Sequence, residues 1–135
     1  MLVSAIPVEA KAPIEEINRG LVWIFQEREK DISHKEYLYS QLFFKGEVFA
    51  YPIFNRIIGF ESGWYEKAKN SRSSAKGFAQ ILDGTWKHFK CDGNPLNGFD
   101  NLDCALKIYS KNGFRDWCAD RNSKRELSDI CGVYD

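Results

Sequence analysis

Four cysteines, Cys91, Cys104, Cys118 and Cys131, fall at near-even spacing in the last third of a 135-residue chain, and they restrict its folding more than any other feature. None forms the close C-x-x-C pair of a zinc or thioredoxin-like site. Two disulfides, buried free thiols and metal ligation are the three readings, and two disulfides is the expected one. Of the three possible pairings, Cys91–Cys104 with Cys118–Cys131 is expected because each bond then closes a short loop. Disulfides imply an oxidising compartment: the cell exterior, the periplasm or a secretory lumen. The first dozen residues, MLVSAIPVEAKA, carry neither the basic start nor the apolar run of a signal peptide. The expected location is therefore extracytoplasmic, reached after loss of a leader or by another route such as lysis.

Charge and composition narrow the function classes. Lys plus Arg and Asp plus Glu both number 19, so the net charge is zero and no overall field draws a polyphosphate; no nucleic-acid partner is expected. Hydrophobic residues make up 44% and aromatics 15%, enough to fill a core and to exclude disorder of the whole chain. The longest apolar stretches, such as Val48 to Phe54, fall far short of the roughly 20 residues that span a bilayer, so no transmembrane segment is expected. At this length one domain and a monomer are expected. Neither His34 nor His88 has a partner pattern for a metal or a nucleophile, and no metal or cofactor is expected.

Residues 1–13 read as a flexible leader and 14–135 as one domain, with its motif-bearing core at about 51–117. After Pro13, Ile14, Ile17, Leu21, Ile24 and Phe25 recur at helical spacing, opposite a polar face. Ser33 with Glu36 forms a capping-box pattern for a second helix that runs to about Phe44 and ends at Gly46. Pro52 suits the first turn of a third helix that stops near Gly63. From Ala68 to Ile81 the chain reads as an exposed loop or small hairpin. Asp83 reads as the N-cap of a helix holding Trp86, His88 and Phe89. A further helix is expected from about Leu102 to Lys111, ended by Asn112-Gly113. The fold class is thus mainly α, with a small hairpin or loop region after the third helix.

The chemistry points to Glu61, which closes that third helix and is followed by Ser62-Gly63; Gly77-Phe78-Ala79-Gln80 comes next along the chain. A carboxyl against an apolar wall is costly to ionise, so it keeps its proton nearer neutral pH and can act as a proton donor. A glycosidic leaving oxygen requires such a donor. The plain alternative is a polar residue at a helix terminus.

The segment from about Ile53 to Trp86 resembles the lysozyme-like superfamily, above all the soluble lytic transglycosylase type and its goose-type lysozyme relatives. Glu61-Ser62-Gly63 matches the family's Glu-Ser helix end, and Ala68 begins the polar loop. Gly77-Phe78-Ala79-Gln80-Ile81 stands where Gly-Leu-Met-Gln is usual, and Gly84-Thr85-Trp86 opens the next helix. Leu102-Asp103-Cys104-Ala105-Leu106 with Tyr109 is similar to the following family helix. The resemblance covers roughly 60 residues and rests on several ordered motifs. It implies an α+β lysozyme-like fold whose N-terminal helices pack behind the catalytic helix. It also implies cleavage of the β-1,4 bond between N-acetylmuramic acid and N-acetylglucosamine, with peptidoglycan strands as the partner. Glu61 would be the single general acid and base. Ser62 would orient it, and Gly77, Gln80, Tyr109 and Trp86 would serve the sugar cleft.

In lytic transglycosylases, which are lyases, the muramyl 6-hydroxyl attacks the anomeric carbon and leaves a 1,6-anhydro end; in muramidases water attacks, usually aided by another carboxylate. The family's Tyr-Asn-Gly signature survives only as Lys111-Asn112-Gly113, which leaves both outcomes open. Asp83 is the possible second carboxylate, with the N-cap role as its alternative. Trp64, Trp86 and Trp117 are candidates for stacking on sugar rings, although large aromatics usually serve as core filler. Competing classes are a non-catalytic glycan-binding or structural relative and an enzyme acting on chitin. The neutral net charge fits localised wall remodelling better than the electrostatic attraction of a basic lysozyme to anionic walls.

Overall fold

Helix α1 (His34–Phe44) follows the capping-box sequence and buries Leu38 and Leu42, four residues apart and so on one face. Gly46, at φ 72°, reverses the chain, with its N–H donating to Phe43 O and that of Glu47 to Leu42 O. The structure, a computed structural model, describes residues 32–134. The amphipathic helix expected after Pro13 and the leader boundary before it lie outside the described residues.

A short 3-10 turn (Val48–Ala50) leads into α2 (Tyr51–Ser62), with Pro52 in its first turn and Gly63 in the left-handed conformation at its end. Its buried residues Phe54, Ile57 and Ile58 form a single stripe. The segment that follows has two isolated antiparallel bridges, Lys69 with Lys76 and Lys76 with Ile81, in keeping with the expected loop or small hairpin.

Helix α3 (Asp83–His88) is capped by Leu82, not by Asp83 as expected. Leu82 O accepts the first helical bond from Trp86 N, which makes Asp83 the first helical residue. Its charge suits the positive helix end, but its carboxylate pairs with Lys76 Nζ at 2.6 Å.

Helix α4 (Gly98–Asn112) starts four residues before the expected Leu102, because the Asn97 side chain accepts from Asp100 N and caps the helix there. It supplies Leu102, Cys104, Ala105, Leu106 and Ile108 to the core. Gly113 ends it, and Phe114 N then donates to Tyr134 Oη. Beyond lie a 3-10 turn (Arg115–Cys118), α5 (Arg121–Glu126), α6 (Ser128–Cys131) and a terminal 3-10 turn (Gly132–Tyr134).

The described residues are mainly helical, and those from His34 onward form one compact unit. The core gathers Leu38 and Leu42 of α1, the α2 stripe, Phe78 and Ile81 of the loop, and the α4 face with Phe114 and Trp117. Both expected disulfides are formed. Cys91–Cys104 fastens the end of the α3 loop to α4, and Cys118–Cys131 fastens the second 3-10 turn to α6. No described helix is long and apolar enough to cross a membrane.

Asn101 on α4 is fully buried. Its Oδ1 accepts from Ala79 N at 2.8 Å, and its Nδ2 donates to Pro95 O at 2.9 Å and to Lys76 O at 3.1 Å. The amide is thus matched to three backbone groups of two loops.

Two measurements check this scaffold. Replacing Cys118 and Cys131 together by alanine should lower unfolding stability by about 2–4 kcal/mol through the freed loop, read as a lower urea midpoint. Asn101→Ala strands three buried backbone partners and should cost about 2–4 kcal/mol, with the loop amides Gly77 to Ile81 losing hydrogen-exchange protection.

Candidate functional site

Phe54, Ile57, Ile58 and Glu61 stand at i, i+3, i+4 and i+7, so the acid occupies the last position of the apolar stripe of α2. Gly63 stops the helix two residues on, and Glu61 is left half-buried in the lining of an open cleft. The cleft has a volume of about 250 Å³. Apolar parts of its lining are Ala75, Ala79, Ile81, Ile108 and Trp117; Asn70, Ser73, Gln80 and Thr85 offer hydrogen-bonding groups. Asp116 and Asp120 bring two further carboxylates.

Burial, and secondarily the charge of Asp120, push the Glu61 carboxyl up to about 7. Among the described residues no group hydrogen-bonds it, so its proton is free for a ligand. Asp120 is the opposite case. The Ser123 backbone N–H donates to its Oδ1 and the Ser123 hydroxyl to its Oδ2, both at 2.8 Å. These bonds hold Asp120 below the usual carboxylate range.

The walls are fixed by backbone contacts. Trp117 Nε1 donates to Ala79 O at 2.9 Å, joining the second 3-10 turn to the loop. Gln80 adopts φ 51° and its Nε2 donates to Gly77 O and Ala68 O, so the side chain braces the loop it belongs to.

Of the residues singled out from sequence, Glu61, Gln80 and Trp117 come together in the cleft, whereas Ser62, Trp64, Gly77, Asp83, Trp86 and Tyr109 lie outside its lining. Ser62 does not orient Glu61: its hydroxyl donates to Ile58 O of its own helix. Gly77 is needed elsewhere. At φ 79° an added Cβ would overlap Asn101 and the Pro95 carbonyl, so glycine allows the loop to press against α4. Tyr109 donates to Glu47 Oε1 at 3.3 Å, and its ring packs on Phe54 and Phe114. Trp86 packs against the core, and Asp83 pairs with Lys76.

Trp64 donates to Asn55 Oδ1 and meets Phe78 edge to face. Trp117 does line the cleft, but at 6% exposure it is wall rather than a stacking platform. His34 packs between Phe78 and Phe99, 3.6 Å from Glu66. His88 is exposed. Among the described residues no group of His, Cys, Asp and Glu is arranged to hold a metal.

Sequence reading missed Asp116 and Asp120, which follow the last recognisable motif. Asp120 did carry a signal: an aspartate three residues before Ser123 is a helix-capping pattern. No protein-family model, curated protein or solved structure matches this chain.

Glu61 bears a stability consequence. Its proton binds more tightly in the folded chain than in the unfolded one, so its contribution is full below about pH 4.5 and is lost as pH rises through about 7. Glu61→Gln mimics the protonated acid. Thermal melts should show the variant more stable than wild type at pH 8 and equal to it at pH 4.

Proposed function

We propose that this protein is a peptidoglycan-cleaving glycosidase of lysozyme-like fold. It acts on the β-1,4 bond between N-acetylmuramic acid and N-acetylglucosamine as a lytic transglycosylase, with Glu61 as general acid and base. The observation that carries this reading is the half-buried Glu61 carboxyl in the cleft, pushed up to about 7 and without a described hydrogen-bond partner. The sequence resemblance around Glu61 and Gly77 to Gln80 supplies the substrate class.

In this reading Glu61 gives its proton to the glycosidic oxygen as the bond to the muramyl anomeric carbon breaks. The 2-acetamido group of the same sugar shares the developing positive charge. The muramyl 6-hydroxyl then bonds to the anomeric carbon, and its proton passes to the Glu61 carboxylate, which restores the acid. One glycan bond is broken, one intramolecular ether is formed, and no water is consumed. Asn70, Ser73, Gln80 and Thr85 supply polar groups of the kind that sugar hydroxyls and acetamides require. The two disulfides fit an extracytoplasmic location.

Hydrolysis by a muramidase is the second reading, favoured by one observation: Asp116, exposed at the cleft, accepts only from Asn112 Nδ2 among the described residues, at 3.2 Å. Such a carboxylate is available to hold a water.

Mass spectrometry of fragments released from purified peptidoglycan separates these readings. Wild type should release 1,6-anhydro-muramyl products, and Glu61→Gln should lose about 10²- to 10⁴-fold in rate. Reducing ends would establish the muramidase instead. Glycan binding without fragments would make the chain a binding relative, and equal rates for both proteins would remove Glu61 from the mechanism. The rate should fall as pH rises through about 7, where Glu61 loses its proton.

A further inference from the structure

The cleft holds one more group whose placement is too constrained to be incidental. Asp120 lines it from the N-terminus of α5, whereas Glu61 enters from the end of α2. Asp120 caps α5, and the cap is anchored in the core because Ser123, which donates to both carboxylate oxygens, is fully buried. Two residues upstream, Cys118 is bonded to Cys131, and Trp117 is tied to Ala79 O across the cleft wall. The carboxylate is therefore fixed in position by its own helix, by a disulfide-held turn and by the loop bearing Gln80.

We propose that Asp120 is a positioning residue for the reaction at Glu61: a fixed anion on a second wall of the cleft, facing both the acid and the sugar that passes between them. This rests on the reading of Glu61 as the reacting acid. Its role is electrostatic and not that of a base. Both oxygens already accept hydrogen bonds, and the bonds that stabilise its charge make it a poor proton acceptor. A fixed negative charge has two effects here. It opposes ionisation of Glu61, keeping the proton in place before bond cleavage, and it favours the positive charge that grows at the anomeric carbon. A glycosidase with an anion of this kind needs no second carboxylate as base, which agrees with internal attack by the 6-hydroxyl and return of its proton to Glu61.

The charged groups around Glu61 leave this role to few candidates. Among the described residues, the ionisable ones that line the cleft with it are Asp116 and Asp120. Arg56 of α2 is engaged by Asp129 of α6, and Lys76 of the loop by Asp83 of α3. From α4 the lining residue is the apolar Ile108, and from α3 the neutral Thr85.

The test compares the full-length wild type with Asp120→Asn, which removes the charge and keeps a strong N-cap residue. Asp120→Ser is a second capping variant should the first fold poorly. Glu126→Gln, at the far end of α5, is the control for loss of one charge. The Glu61 carboxyl is followed by carbon-detected NMR titration, and the alkaline limb of the pH–rate profile is recorded on purified peptidoglycan.

In folded Asp120→Asn or Asp120→Ser, both curves should move to lower pH, and the shift should shrink as salt is added, because Asp120 is exposed and its field is screened. The Glu126→Gln curves should overlay those of wild type. A Glu61 titration left unchanged by both Asp120 variants overturns the proposal, as does an equal shift in Glu126→Gln. Should wild type release no fragments while the NMR shift occurs, the enzyme reading fails and the coupling of Asp120 to Glu61 stands. The two failures are thereby separate.

Discussion

The buried amide of Asn101 is the contact on which the site depends. Three backbone groups from loops with no regular structure of their own close on one side chain of α4. A buried peptide group without a partner is costly, so these loops have one low-energy position against the helix. The position is close enough that residue 77 has no room for a Cβ. Ala79, pinned through its N–H to Asn101, offers its carbonyl to Trp117, so the constraint passes from α4 through the loop to the second 3-10 turn. The cleft is the space between elements linked in this way.

Within that frame, charge is placed against the preference of the fold. An apolar residue at position 61 would continue the stripe of Phe54, Ile57 and Ile58, and the carboxyl found there resists ionisation because of it. Asp120 lies in the reverse setting, stabilised as an anion by the helix start that it caps. Two carboxyls of similar intrinsic acidity are thus driven apart by their surroundings, one apolar and one rich in N–H and O–H donors. Both settings arise from ordinary folding events, the end of one helix and the beginning of another.

Much of this was legible in the sequence where the signal is local. Pro52 and Gly63 bracket α2, Gly46 and Gly113 end the helices before them, and the cysteine spacing indicated the pairing found. The resistance of Glu61 to ionisation could be anticipated from its place at the end of an apolar helix. What escaped depends on tertiary contacts. Asn101 reads as a polar residue of the loop before the expected helix, and only the approach of two loops to α4 gives it a purpose. Asp83 reads as a cap, yet Leu82 takes that position and Lys76 claims the carboxylate. Ser62, Gly77, Tyr109 and Trp86 occupy scaffold contacts whose nature no spacing rule reveals.

The loop is held by main-chain atoms: the N–H and C=O of Ala79, the carbonyls of Lys76 and Ala68, and the N–H of Gly77. A shape specified in this manner is largely indifferent to which side chains it carries. Ala79 in place of the bulkier residue usual in the resembling motif alters the lining but asks nothing new of the backbone. The chemistry of the lining can therefore change by exchange of side chains along one rim of the cleft, while the path of the chain beneath it stays under the restraint of Asn101 and the glycine that faces it. Lining and support are thus separable here, and the boundary between them runs through single residues.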